Sequence, residues 1–131
     1  MGTAKPVYQF VYDLAVLGGV VGAIPLTQLN GPLPINFVVQ NALIDVITPL
    51  ASGGAATASL GTGQTAIDLV AAGLISIAPF STAGQKVTTV LLGTVATLLK
   101  MTAQRSPILT VAIANLNAGK FNLFVEGFVS S

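Results

Sequence analysis

Short blocks of Val, Ile, Thr, Phe and Tyr recur along this chain, separated by Gly, Pro, Asn and Ser. That pattern is typical of β-strands joined by turns. The first block alternates strictly, with Tyr8, Phe10 and Tyr12 on one face. Because large rings gain most from burial, we predict that this aromatic face packs into the core. The predicted strands are Val7–Asp13, Val20–Leu29, Ile35–Leu50, Ala55–Leu60, Lys86–Leu92, Thr94–Thr102, Ile108–Leu116 and Lys120–Val129.

Turn signals between these blocks predict how the strands connect. The two glycines of Ala51–Gly54 predict a hairpin that joins the third strand to the fourth. Asn117–Gly119, which ends in glycine, predicts a three-residue hairpin loop between the last two strands. Pro25 predicts a kink or a sheet edge within the second strand, because proline cannot donate a ladder hydrogen bond. Two prolines make Asn30–Pro34 an irregular connection.

One stretch, Gly61–Gly73, has helical rather than alternating spacing. Ile67, Val70 and Ala71 stand at the i, i+3 and i+4 positions of a helix face. Thr65 is placed to cap such a helix at its first turn. The sequence therefore predicts a short helix or helical turn in this stretch.

The strand pattern as a whole predicts the fold class. Short strands with turn signals roughly every 8–15 residues are typical of antiparallel sandwiches and barrels, whereas strands that alternate with helices indicate an α/β fold. We predict a single domain over residues 1–131, an all-β antiparallel β-sandwich with at most one short helix. The pattern leaves open whether this sandwich is a jelly roll or a simpler arrangement.

Charge is scarce in this chain. Of its 131 residues, 53% are apolar and only 7% are charged, whereas an average soluble domain has about 25% charged residues. So few charges cannot cover the exterior of a lone soluble domain. We therefore expect part of the surface to be covered by other copies of the chain, by another protein or by lipid.

The apolar segments are too short to span a membrane. The longest uncharged stretch, Leu14–Ile44, is interrupted by Pro25 and by the prolines of Asn30–Pro34, so its first apolar piece ends at Leu26. A spanning helix needs about 20 consecutive apolar residues. We therefore predict no membrane partner. A small lipid-associated protein is kept as an alternative that dependence on detergent would reveal.

The side chains needed for most catalytic and metal sites are missing. The chain has no His and no Cys, which removes the commonest general base, the thiolate nucleophile and the usual zinc ligands. Its carboxylates are far apart in sequence: Asp13, Asp45, Asp68 and Glu126. Gly61–Ala66 resembles a phosphate-binding loop but lacks the lysine that such a loop requires. We predict that the chain is not an enzyme and holds no cofactor or metal. A weak site for a hard cation such as calcium, built from these carboxylates, is the alternative left open.

The basic residues are too few for nucleic-acid binding. The chain has five Lys and Arg residues and a net charge of +1, whereas a nucleic-acid binder must neutralise a track of phosphates. Lys100 and Arg105 are instead predicted to protect a strand edge, with a charged contact to a partner as the alternative. Asp45 is predicted to lie at a rim or to pair with one of the basic residues.

Several apolar or edge positions have no evident partner within the chain. Phe124 and Phe128 fall on the face of the last strand opposite Phe121, so both faces of this strand are predicted to be covered. An exposed Tyr8 or Tyr12 in a groove would instead favour a sugar- or receptor-binding module. The candidate interface residues are Lys5, Pro6, Tyr8, Asn30, Pro32, Pro34, Phe124 and Phe128.

Three segments carry a resemblance to known proteins. They are Gly2–Lys5 ahead of the aromatic strand, Leu43–Thr57 (LIDVITPLASGGAAT) and Leu116–Glu126 (LNAGKFNLFVE). Together they resemble small structural proteins encoded among the head genes of tailed bacteriophages, some of which are head decoration or cement proteins.

This resemblance implies a non-enzymatic virion structural protein without a cofactor. Such a protein is a compact β-sandwich or jelly roll that binds the major capsid protein on the outer capsid surface and stabilises the head. It is usually a homo-oligomer, with a trimer favoured. The resemblance transfers no active-site residues. The alternative is another oligomeric β binding module, such as a fibre- or receptor-associated virion protein.

Overall fold

Two antiparallel β-sheets pack face to face, and their strands form nearly all of the regular structure. The computed structural model describes residues 7–65, 69–87 and 99–130, and within these ranges the only helix has four residues. The all-β sandwich prediction is therefore confirmed. The elements are β1 Val7–Asp13, α1 Leu14–Leu17, β2 Gly22–Pro25, β3 Thr27–Gln28, β4 Phe37–Ser52, β5 Thr57–Gly61, β6 Val70–Leu74, β7 Gly84–Val87, β8 Ile108–Ala112 and β9 Leu116–Val129.

The strand order is that of a jelly roll. The first sheet has the order β3-β1-β9-β4-β7, and the second sheet has the order β2-β8-β5-β6. When the two-residue edge strand β3 is set aside, eight strands form two four-stranded sheets in which the chain crosses repeatedly from one sheet to the other. This is the double-sheet arrangement of two Greek keys that defines a jelly roll, which settles the alternative that the sequence left open.

The core lies between the sheets and contains alternate residues of their strands. On β1, Phe10 and Tyr12 are completely buried, as predicted for the aromatic face. The ring centroid of Phe121 lies 5.5 Å from that of Tyr12 and 5.7 Å from that of Phe80. These separations are within the favourable range for aromatic pairs, so the rings join β1, β9 and the segment after β6.

Both predicted hairpins are wrong, because each turn carries the chain from one sheet to the other. β4 ends at Ser52 in the first sheet, and β5 begins at Thr57 in the second sheet, where it pairs with β6 and β8. β8 and β9 likewise lie in different sheets. A turn signal shows that the chain reverses, but the next strand can pair with its predecessor or cross the sandwich.

Gly119, predicted as the last residue of a hairpin loop, lies inside β9. The chain turns earlier, at residues 113–115, where Ile113 has a φ of 75°. A Cβ atom on Gly119 would collide with the side chain of Leu50 and lie 3.4 Å from Cε2 of Tyr12. Glycine is therefore required here for close packing rather than for a turn.

The predicted strand Val20–Leu29 divides into two strands of different sheets. β2 pairs with β8 in the second sheet, whereas β3 pairs with β1 in the first sheet. Leu26, between them, is buried and donates its N–H to the carbonyl of Pro107 at 3.0 Å. Pro25 ends β2 at the edge of the second sheet, so the predicted edge position is confirmed.

The predicted helix in Gly61–Gly73 is wrong for the residues that the structure describes there. Val70 and Ala71 belong to the strand β6, and residues 66–68 lie outside the described ranges. The helical turn is α1 instead, and the carboxylate of Asp13 caps it by accepting from the N–H of Ala15 at 3.0 Å. Within the described ranges, no helix has the length and apolar character needed to cross a membrane.

Two other predicted strands lie partly outside the described residues. For Lys86–Leu92, the structure describes only residues 86 and 87, which belong to β7 and pair with β4. For Thr94–Thr102, it describes residues 99–102, and Lys100 forms an isolated antiparallel bridge with Val38.

The phenol of Tyr12 is buried beneath the loop that follows α1. Its hydroxyl donates a hydrogen bond to the carbonyl of Gly18 at 2.7 Å. Burial, with a smaller effect from the negative charge of Asp13, raises the pKa of Tyr12 from 10.0 to about 12. The fold therefore favours the neutral phenol. The contribution of this preference to the free energy of unfolding is complete below pH 10 and is lost as the pH rises from 10 to 12.

We expect Tyr12→Phe to remove this alkaline loss of stability. Between about pH 9 and about pH 12, the free energy of unfolding of the wild type should fall by about 2 kcal/mol more than that of the variant. Urea denaturation of both proteins across this range measures the difference. Lysine titration changes the free energy of unfolding of both proteins equally, so its effect cancels in the difference between them. Parallel pH profiles would contradict the prediction.

Gly127 allows β9 to approach β4 closely. A Cβ atom there would collide with the carbonyl oxygen of Val38 and lie 3.0 Å from Cζ of Phe37. The first of these neighbours is backbone of the paired strand and cannot move independently. The strand pairing at this end of the first sheet therefore requires the absence of a side chain.

We expect Gly127→Ala to lower the free energy of unfolding by about 1–3 kcal/mol, because the new methyl group overpacks the β4–β9 contact. Gly53→Ala is the matched control, since a Cβ there meets no atom within 4 Å. Chemical denaturation of both variants measures the effect. Equal stability of the two would show that β9 shifts without cost.

Candidate interaction surface

The solvent side of the first sheet has an apolar centre. We call it the outer face. The pairing register aligns Gln9, Phe124 and Leu43 in one row across β1, β9 and β4. Leu43 is 38% exposed, and the side chain of Phe124 is half-buried. The outer-face residues of these three strands are Val7, Gln9, Val11, Asn41, Leu43, Asp45, Asn122, Phe124 and Glu126.

Phe124 stands between two depressions of the outer face. One, of about 250 Å³, is lined by Leu43, Asp45 and Gln85 as well as Phe124. The other, of about 210 Å³, extends to Val7 and also has Phe124 in its wall. The ring thus forms a ridge flanked by two small cavities. A ridge between two cavities can interlock with apolar side chains of another protein surface.

Two carboxylates flank this apolar centre. Glu126 lies opposite Asn41 and Asp45 lies opposite Asn122, so the carboxylates are four residues apart along β4, or about 13 Å. Among the described residues, the one ion pair joins Lys120 Nζ to Asp13 Oδ2 at 3.9 Å and uses neither of them. Of the two arrangements predicted for Asp45, pairing with a basic residue does not occur in the described part of the chain. Within the described residues these two carboxylates form no ion pair, and they can complement a basic partner surface.

The predicted interface residues of the terminal strands differ in their surroundings. Phe124 is at the centre of the outer face, and Phe128, which is 40% exposed, lies opposite Val38 near one end. Tyr8 is half-buried, and its ring meets that of Phe37 edge-on at 5.2 Å. Lys5 and Pro6 lie outside the described residues.

The Asn30–Pro34 loop is tied to the edge of β1. The amide side chain of Asn30 accepts from the N–H of Gln9 at 2.8 Å and donates to the carbonyl of Val7 at 2.7 Å. The Asn30 side chain therefore forms the hydrogen bonds with β1 that a neighbouring strand would form beyond the end of β3. Pro32 and Pro34 are half-buried. The loop thus has an internal structural role, whatever it contacts on its exposed side.

The glycine-rich segment has a structural role in the fold. A Cβ atom on Gly63 would lie 2.6 Å from the carbonyl oxygen of Ser106, so the two backbones are in close approach. The Gln64 side chain donates to the carbonyl of Lys100 at 2.9 Å and accepts from the N–H of Thr102 at 2.8 Å. These contacts attach the segment to residues 100–106.

The described acidic residues do not form a metal-binding cluster. No group of three or more His, Cys, Asp or Glu side chains comes together in the parts of the chain that the structure covers. Tyr12 is completely buried and Tyr8 packs against Phe37, so the aromatic strand presents no open platform for stacking a sugar or base. Arg105, one of the two basic residues predicted to protect a strand edge, donates from Nη2 to Oγ1 of Thr102 at 3.3 Å.

Sequence reasoning identified Phe124 but missed the neighbours that make it part of a surface. Leu43 and Val7 lie on other strands, and only the register places them beside Phe124. The alternation of Leu43 with Asp45 was visible in the sequence and indicated that the two side chains share a face. The sequence did not show which strand lies next to these two residues.

Comparison with solved structures finds the same fold in phage capsids. A chain of the cyanophage Pam1 capsid asymmetric unit has 15% identity and a TM-score of 0.65, with 99% of this chain and 89% of that chain covered. A chain of the acidic stable capsid of Helicobacter pylori bacteriophage KHP30 has 14% identity and a TM-score of 0.62, covering 100% and 92%. A chain of the capsid of Ralstonia phage GP4 has 20% identity and a TM-score of 0.59, covering 100% and 89%.

Comparisons of sequence alone add nothing to this result. No protein-family model matches the chain, and no curated protein matches it. At identities of 14–20%, the structural matches establish a shared fold. Over its whole length, this chain has the fold of similarly sized chains found in three phage capsid structures.

Proposed function

We propose that this chain is a non-enzymatic phage virion structural protein of the capsid decoration, or cement, type. In this proposal it binds the major capsid protein on the outer surface of the head as a homo-oligomer and stabilises the shell. The observation that carries the proposal is the full-length match to chains of three phage capsids. The sequence resemblance to phage head proteins independently supports it.

The extent of the matches supports an accessory role, because the matched capsid chains are small and are covered almost completely. They cover 89–92% of each capsid chain, so those chains are close to this one in size and have little additional structure. The likeness therefore extends over most of each capsid chain and is not confined to one domain of a much larger chain.

The shortage of charge supports a role within an assembly. With 7% charged residues, the chain cannot give its exterior the polar cover of a typical monomer. Assembly on a shell covers apolar surface with neighbouring subunits. Because each contact is repeated many times on a lattice, individually weak contacts add up through multivalency.

The outer face is the surface best suited to the capsid contact. The ridge of Phe124 with its two flanking cavities offers apolar complementarity, and Asp45 and Glu126 offer charges for basic groups on the partner. A protein that binds across adjacent capsid subunits only when they are assembled stabilises the assembly by linkage. This is the physical action of a cement protein.

The alternative of a sugar- or receptor-binding module has no supporting site. It called for an exposed aromatic side chain in a groove, and Tyr12 is completely buried while Tyr8 packs against Phe37. Among the described residues, the phenylalanines on the solvent side of β9 are Phe124 and Phe128, and Phe124 belongs to the outer face.

We expect the purified chain to be a soluble trimer without detergent. Size-exclusion chromatography with light scattering should then give a mass near three times 13.2 kDa. A monodisperse monomer would contradict the proposed trimer. Aggregation that detergent reverses would favour the lipid-associated alternative.

We expect Phe124→Asp to weaken binding to empty heads by about tenfold or more, because it removes the apolar ridge and adds a third negative charge. Co-sedimentation of the protein with heads lacking the decoration layer measures the affinity. Val20→Asp is the matched control, since Val20 is 68% exposed and belongs to a loop away from the outer face.

The fold of both variants should be unchanged, which circular dichroism and thermal unfolding can check. Unchanged affinity of a folded Phe124→Asp protein would show that the outer face is not the capsid contact. Equal weakening by Val20→Asp would show that added negative charge alone explains the effect.

A further inference from the structure

The two depressions beside Phe124 have matching compositions. We call one the Asp45 socket, which is lined by Leu43, Ile44, Asp45, Gln85 and Phe124. We call the other the Glu126 socket, which is lined by Val7, Asn41, Leu43, Phe124 and Glu126. Each socket contains one carboxylate and one side-chain amide, and both use the side chains of Leu43 and Phe124. Each therefore combines apolar walls with oxygen atoms that accept hydrogen bonds.

The lysines closest to the two carboxylates in the described part of the sheet are engaged elsewhere. Lys120, on β9, pairs with Asp13 at 3.9 Å. Lys86, on β7, lies opposite the buried Ile44 rather than opposite Asp45, and its ammonium donates to the carbonyls of Thr82 and Gly84. A counter-charge for the sockets is therefore best supplied by a partner.

The composition of each socket fits a long cationic side chain. Lysine and arginine have an apolar stem and a charged head that only donates hydrogen bonds. The stem can pack on Leu43 and on the ring of Phe124, whose face also attracts a cation, while the head reaches the carboxylate and the amide oxygen. The smaller socket, at about 210 Å³, has room for about seven water-sized groups of about 30 Å³, which exceeds the number of non-hydrogen atoms in a lysine side chain.

Other kinds of occupant fit the sockets less well. A purely apolar partner surface would bury both carboxylates without a counter-charge, which costs free energy. A calcium ion takes six to eight oxygen ligands, whereas each socket offers one carboxylate. The sockets therefore favour a basic partner.

The spacing of the sockets matches an extended chain. Phe124 lies opposite Leu43, midway between the pair Glu126–Asn41 and the pair Asn122–Asp45, and the two carboxylates are about 13 Å apart along β4. In an extended segment, residues i and i+4 are on the same face at this separation. Such a segment, lying along β4, places residues i and i+4 over the two sockets and residue i+2 over the Phe124 ridge.

We infer that the outer face binds an extended basic segment of the capsid partner, in which residues i and i+4 are lysine or arginine and residue i+2 is small. One cationic side chain enters each socket, and the two straddle the ring of Phe124. The inference rests on the proposed function for the identity of the partner. It adds the chemistry and the spacing by which that partner is recognised.

Two peptides test this spacing on the purified full chain. The capped peptide Lys-Thr-Ala-Thr-Lys has its cations at positions i and i+4, whereas the control Thr-Lys-Ala-Lys-Thr has the same composition with its cations two residues apart. NMR titration followed at the amides of Leu43, Asp45 and Glu126 gives both dissociation constants. We expect millimolar binding of the first peptide, at least about threefold tighter than the control, because the control reaches one socket at a time.

Removal of either carboxylate should abolish this preference. Asp45→Asn and Glu126→Gln keep the shape of the side chain and remove its charge, so each variant should bind the two peptides equally. Val20→Lys is the matched control, because it changes the net charge by the same amount in a loop away from the outer face and should keep the preference. Equal affinity of the wild type for both peptides, or a preference that survives in Asp45→Asn or Glu126→Gln, would overturn the inference.

Binding to heads that lack the decoration layer separates this inference from the proposed function. Asp45→Asn and Glu126→Gln should each weaken co-sedimentation by about threefold or more, and the difference from the wild type should shrink as salt is raised. Weakening by Phe124→Asp without weakening by these variants would overturn the basic segment and leave the capsid contact in place. A wild type that prefers the spaced peptide but does not bind heads would contradict the proposed function and leave the sockets as a site for a basic segment of another protein.

Discussion

The pairing of β4 with β9 is the contact on which the rest of this fold depends. These strands have 16 and 14 residues and run side by side from the pair Phe37–Val129 to the pair Ser52–Leu116. They form the middle of the first sheet, so their register decides which of their side chains enter the core. A slip by one residue would turn Phe124 inward and Leu123 outward. The core and the outer face would then be lost together.

The outer face that follows from this register combines two kinds of chemistry. The outer face combines the apolar row of Phe124 and Leu43 with the carboxylates of Asp45 and Glu126, so it suits a partner of opposite charge.

Part of the candidate surface could be predicted from local pattern. Phe124 was recognised because it falls opposite the core-facing residues of its own strand, which a period of two reveals without other information. β6 was mistaken for a helix, because Val70 and Ala71 match helical spacing as well as they match a short strand. In so brief a segment, pairing with β5 outweighs local preference. Leu43 and Val7 join the surface only through pairing with β9.

The sequence by itself determined the all-β class, the burial of Phe10 and Tyr12, and the lack of histidine and cysteine chemistry. These properties depend on residue type and on alternation within one strand. Only the tertiary structure decided that β8 and β9 lie in different sheets, that the chain turns at Ile113 and that Gly119 lies within a strand. Strand alternation specifies which side chains share a face, whereas the choice of neighbouring strand is made by contacts between residues far apart in the chain.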